Sequence, residues 1–106
     1  MIQVIVKMKE ETITGFHIEG HSGYAKSGSD IICSAISALA INCVNSIEEL
    51  TQDKFSVDSD EQRGMIDFQL TGAISKESQL LLKSLILGVK EISKTYGSQY
   101  VTLINR

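Results

Sequence analysis

The stretch GHSGYAKSGSDIICSAIS, residues 20–37, divides the chain into a strand-forming part and a helix-forming part. Its first ten residues hold three glycines and three serines and break all hydrophobic periodicity, which marks a loop. Asp30 then stands where a helix begins: its carboxylate can accept hydrogen bonds from the first backbone N–H groups of a helix predicted to run to about Gln52. Ser34, Ala35, Ser37, Ala38 and Ala40 give that helix small side chains, so it can lie close against a sheet or another helix.

Upstream of the loop, residues 2–9 place Ile2, Val4, Val6 and Met8 on one face and Gln3, Lys7 and Lys9 on the other, with Ile5 as the exception. Residues 12–19 form a second β-rich run, and the charged tip KEE between the two suggests a hairpin. Downstream, KFSVDS and RGMIDFQL alternate again, with Phe55 and Val57 on one strand and Ile66, Phe68 and Leu70 on the next, across the polar turn DSDEQRG. Ser75 is the expected cap of a second helix, whose apolar stripe is read as Leu81, Leu85, Val89, Ile92 and Tyr96. Gly97 is its stop signal, and QYVTLIN is a last strand. The order ββαββαβ predicts an α+β fold over a single domain, residues 1–106, with two helices packed on a mainly antiparallel sheet.

The 106 residues are 42% hydrophobic and 22% charged, with a formal charge of −3. That balance gives no reason to expect direct nucleic-acid binding, which needs clustered Lys and Arg. Cys33 and Cys43 fall in one predicted helix about 15 Å apart, beyond the reach of a disulfide. Free thiols point to a reducing, cytoplasmic setting. The opening MIQVIVKMKEE turns acidic too early for a signal peptide, and the longest apolar run is expected to fall far short of a membrane span.

If Asp30 is the cap, Cys33 occupies the third position of the helix, near unpaired N–H groups and the positive end of the dipole. Both favour the nucleophilic thiolate, while the Asp30 charge opposes it unless committed to the cap. Alternatively, Cys33 is a small buried hydrophobe. His21, between Gly20 and Ser22, belongs neither to a core face nor to a charged run, and the twelve-residue gap is long enough to bring its imidazole to the helix start as a general base. An exposed turn histidine is the other reading. Ser37 lies one turn beyond Cys33, as an orienting group or a packing residue. The amides of Ile32 and Cys33 are candidate oxyanion donors. Cys43, among Ile41, Val44 and Ile47, reads as core, and His17 as a sheet-surface residue. The histidines and cysteines lack paired zinc-ligand spacing, so no metal is expected. The glycines lack the G-K-[ST] of a phosphate loop. The pairs Glu10–Glu11, Glu48–Glu49 and Asp60–Glu61 read as solvated turns and helix ends.

The double box resembles the ribosomal-processing cysteine protease family, Prp, also described as YsxB-like. That family's pattern, G-H-x-G-x-A followed by D-I-[VI]-C-[AS]-A-x-S, is met at Gly20, His21, Gly23, Ala25, Asp30, Ile31, Cys33, Ala35 and Ser37, with Gly28 in the loop between. The resemblance implies a homodimeric cysteine endopeptidase without a cofactor. Its partner would be the N-terminal extension of a large-subunit ribosomal protein of the bL27 type, cut after a phenylalanine. By that pattern His21 is the base and Cys33 the nucleophile, Asp30 and Ser37 support them, and Gly20, Ser22, Gly23, Tyr24 and Gly28 belong to a loop that covers the substrate. The competing reading from the residues is a non-catalytic ribosome-associated assembly or peptide-binding factor. A thiol redox sensor is weaker, because no resolving cysteine lies within reach of Cys33.

Overall fold

Alternation of apolar residues sets the sheet. The computed structural model describes residues 1–21 and 30–106. β1 (Ile2–Lys9) turns back into β2 (Thr12–Glu19), and Ile2, Val4, Val6, Phe16 and Ile18 are buried on one face. β3 (Phe55–Asp60) and β4 (Met65–Leu70) form the second hairpin, and β4 pairs antiparallel with β2. β5 (Val101–Asn105) pairs with β1 in parallel, giving the order β3-β4-β2-β1-β5. The sheet is therefore mixed but mainly antiparallel. Ile5, the exception to the alternation, stands beside Ile104 in that parallel register, so the two half-buried side chains shelter each other.

α1 (Ile31–Leu50) and α2 (Lys76–Tyr96) share one core cluster with Ile2, Val4, Phe16, Phe68 and Val101. Phe68 is fully buried, stacked on Phe16 at 5.3 Å and against Phe55 at 5.1 Å between ring centroids. α1 stops two residues short of the expected end because the Thr51 hydroxyl donates to the Ile47 carbonyl at 2.7 Å and Thr51 itself is extended. Ser75 caps α2 by accepting from the Ser78 amide, and Asp53 accepts from both the Ser75 amide and hydroxyl, at 2.8 and 2.9 Å. That carboxylate ties the exit of the first helix to the entry of the second. Gly97 ends α2 with its amide on the Ser93 carbonyl.

Three expectations need correction. The deeply buried stripe of α2 is Ser78, Leu82, Leu85 and Val89; Leu81 and Ile92 only flank it, and Tyr96 is exposed beyond the last covered turn. Val57, which alternates with Phe55 as if on one apolar face, is 48% exposed, because β3 is an edge strand that neither helix covers. By length and composition, α1, at 20 residues, is also long and apolar enough to cross a membrane. Here its stripe Ile32, Ile36, Ala40, Cys43 and Ile47 is buried in the shared core, the pattern of a core helix.

Candidate active site

α1 carries two adjacent stripes. One is the buried set; the other, Cys33, Ser37, Ile41 and Asn45, repeats every four residues and faces a groove of about 480 Å³. The opposite wall comes from Val57, Ser59, Met65 and Ile66 on β3 and β4, and Gly20 and His21 close one end. The groove lies between α1 and the β3–β4 hairpin, and Ile41 on its rim remains 53% exposed. Its walls are largely apolar and its chemistry sits at one end.

The structure brings His21, Cys33, Ser37 and Gly20 to that one groove. Asp30 does not line it; its Oδ1 accepts from the Ile32 and Cys33 amides at 3.1 and 3.0 Å. The cap is as expected, but it corrects the oxyanion reading: the two amides assigned to an oxyanion already bond a carboxylate. Ser22, Gly23, Tyr24 and Gly28 lie outside the described residues.

Gly20 and Gly64 shape the mouth. Gly20 has φ +110°, and a side chain there would run into the Met1 carbonyl. Gly64 has φ +60°, and an added Cβ would lie 2.5 Å from the Gly20 carbonyl and 3.2 Å from His21 Cε1. Only glycine accepts both constraints at these places. The β3–β4 turn thereby docks onto the end of β2. Gly20 N donates to the Arg63 carbonyl at 3.0 Å, and His21 Nε2 lies 3.1 Å from the Gln62 carbonyl. Asp60 Oδ1 accepts from the Gln62 and Arg63 amides and fixes the turn. In the sequence DSDEQRG is a polar turn and no more; nothing local links it to a histidine some forty positions earlier.

The open face of the sheet beside this turn carries a charge cluster. Asp67 Oδ1 lies 2.8 Å from both Lys7 Nζ and His17 Nδ1, and Glu19 accepts from His17 and from both Nε and a terminal nitrogen of Arg63. Burial opposes a charge on His17, but its hydrogen bonds to Glu19 and Asp67 win and raise its pKa. For Asp67, burial pushes upward, and the bonds from Lys7 and His17 outweigh it and lower its pKa. His17 is thus on the sheet surface, but as the centre of an ionic network. Among the described residues, no group of three His, Cys, Asp or Glu side chains could hold a metal ion.

The two sulfurs differ sharply. Cys43 is 4% exposed, contacts the Leu81 carbonyl, and burial pushes its thiol up to about 11. Cys33 is half-buried at the groove; both thiols are free of disulfides.

Known proteins share this fold. A ribosomal processing cysteine protease Prp of Staphylococcus aureus (strain Mu50) is 27% identical over 98 residues, 92% of each chain. One of Bacillus subtilis (strain 168) is 26% identical over 101 residues, 91% of this chain and 90% of that one. The crystal structure of a ribosomal processing protease Prp from S. aureus with a covalently linked product peptide superimposes with a TM-score of 0.93 at 25% identity, covering all of both chains. A second, with a substrate peptide, gives 0.87 at 25% identity, again over all of both chains. The sequence model of the family described as "Cysteine protease Prp" matches residues 1–102, and this chain belongs to that family of cysteine proteases.

Proposed function

We propose that this protease removes the N-terminal extension of a large-subunit ribosomal protein of the bL27 type, cutting after phenylalanine, with Cys33 as nucleophile and His21 as its base. The observation that carries the reading is that an imidazole and a thiol open on one groove whose walls are Ile41, Val44, Val57 and Ile66. An apolar trough of about 480 Å³ suits an extended hydrophobic peptide with a phenylalanine beside the scissile bond. The relatives named as ribosomal processing proteases, and the S. aureus structures with peptides, support a peptide substrate of that origin. Free thiols support a cytoplasmic setting, and we take the working form to be a homodimer, as the family resemblance implies.

The chemistry follows from the two groups. The Cys33 thiol passes its proton to His21, and the sulfur attacks the scissile carbonyl carbon. As the C–N bond breaks, the imidazolium returns that proton to the leaving amine. Water then hydrolyses the thioester, with His21 again taking a proton, and the thiol is restored. Asp30 supports this by fixing the helix start that bears Cys33.

Peptides carrying the extension provide the test. Cys33→Ser should abolish cleavage at the Phe junction, while Cys43→Ser leaves it largely intact. Equal loss from both would indicate damage to the fold. A Cys33 that alkylates only near the free-thiol value of about 8.5 would leave a peptide-binding groove without catalysis.

A further inference from the structure

A carbonyl oxygen can only accept, so the 3.1 Å contact between His21 Nε2 and the Gln62 carbonyl requires the imidazole to carry a proton on Nε2. The hydrogen bond made by one ring nitrogen decides what the other can do. The Gln62 carbonyl does not float: Asp60 holds the Gln62 and Arg63 amides, Gly20 donates to the Arg63 carbonyl, and the Arg63 guanidinium grips Glu19 through two nitrogens at 3.0 and 2.8 Å. Gly64 leaves room for this approach, since a Cβ there would lie 3.2 Å from His21 Cε1.

Taking the Cys33–His21 pair of the proposed function as given, we infer that the Gln62 main-chain carbonyl is the third, positioning member of the site. The Arg63–Glu19 pair is the clamp that holds it there. The carbonyl selects the Nε2–H tautomer, so Nδ1 is the nitrogen that takes the Cys33 proton. The Nε2–H bond then persists in the imidazolium. The part that a carboxylate side chain plays in many hydrolytic triads falls here to a backbone oxygen. Such an oxygen cannot titrate, and so it orients the ring without adding a negative charge beside the thiolate.

Two measurements test this. Nitrogen-15 NMR of the imidazoles in the Cys33→Ala variant, above the imidazole pKa, should place the His21 proton on Nε2. A proton on Nδ1 overturns the inference whatever the reactivity of Cys33. In the Cys43→Ser background, Arg63→Ala should slow alkylation of Cys33 by iodoacetamide at neutral pH by about tenfold, the low end of what is lost when the hydrogen-bond partner orienting a metal-binding histidine is removed. It should also move the acid limb of the pH profile toward the ordinary thiol value, and Arg63→Lys should restore part of both. Glu19→Gln serves as the matching variant if Arg63→Ala lowers the melting temperature. A reactive Cys33 with the same pH profile in wild type, Arg63→Ala and Glu19→Gln would overturn the clamp. An inert Cys33 in the wild type would instead overturn the proposed dyad and leave the tautomer measurement standing.

Discussion

Asp30 performs two opposed tasks, and a pair of substitutions separates them. Its Oδ1 satisfies the Ile32 and Cys33 amides at 3.1 and 3.0 Å, while its charge lies one turn from the Cys33 sulfur. Asp30→Ala removes the cap, which costs about 1 kcal/mol. For a domain near 100 residues that lowers the melting temperature by about 5 °C. Asn caps as well as Asp, so Asp30→Asn should change stability by only about 0.3 kcal/mol and isolate the charge. Side chains three apart on a helix stand about 6 Å from each other. Unit charges at that distance interact by about 0.7 kcal/mol in water and about 3 kcal/mol at an effective dielectric of 20. At a half-exposed helix start the lower end applies, so losing the carboxylate raises the thiolate fraction on the acid limb by about three- to tenfold. A less basic thiolate is also a weaker nucleophile, with a Brønsted slope of about 0.45. The net gain in alkylation rate on the acid limb is therefore about two- to fourfold. Iodoacetamide labelling between pH 4 and 9, in the Cys43→Ser background, measures it alongside thermal melts. If Asp30→Asn slows labelling, or destabilises as much as Asp30→Ala, the division into cap and charge is refuted.

Two further outcomes test the fold around the site. Phe68→Ala empties the stack between Phe16 and Phe55 and should cost about 3–5 kcal/mol, a drop of about 2 M in the urea midpoint; a loss under about 1 kcal/mol would mean the centre of the sheet is not packed as described. The raised pKa of His17 means its charged form stabilises the fold fully below 6.5, and that contribution is lost as pH rises through the folded-state value. The lowered pKa of Asp67 acts in the other direction, stabilising above 3.8 and fading as acid protonates it. Melting temperatures from pH 5.5 to 8.5 should thus decline in the wild type and stay level in His17→Gln; parallel curves would show that the imidazole takes no part.

Local chemistry made much of the fold legible. Asp30, Ser75 and Gly97 are punctuation whose physics acts within four residues, and each stands at the helix end where the sequence puts it. The strand alternations likewise fixed which faces of β1 and β2 are buried. What escaped depends on tertiary placement. Val57 alternates with Phe55 but sits on an uncovered edge strand, and Leu82 rather than Leu81 belongs to the buried stripe because the turn of α2 points that position into the shared core. In the site, the Gly–His and Asp–Ile–Ile–Cys boxes point to His21 and Cys33, which line one groove. The occupied amides at Ile32 and Cys33 follow from the cap itself, since a carboxylate that accepts both leaves neither for an oxyanion. The Gln62 carbonyl had no signature, because main-chain oxygens are the same at every residue.

The burial of Cys43 has a practical consequence for probing the enzyme. A sulfur that holds its proton to about pH 11 offers electrophiles no anion under working conditions. A fluorogenic warhead or a mass tag applied at neutral pH will therefore meet little competition from Cys43, and the Cys43→Ser background matters chiefly where labelling is carried to alkaline pH.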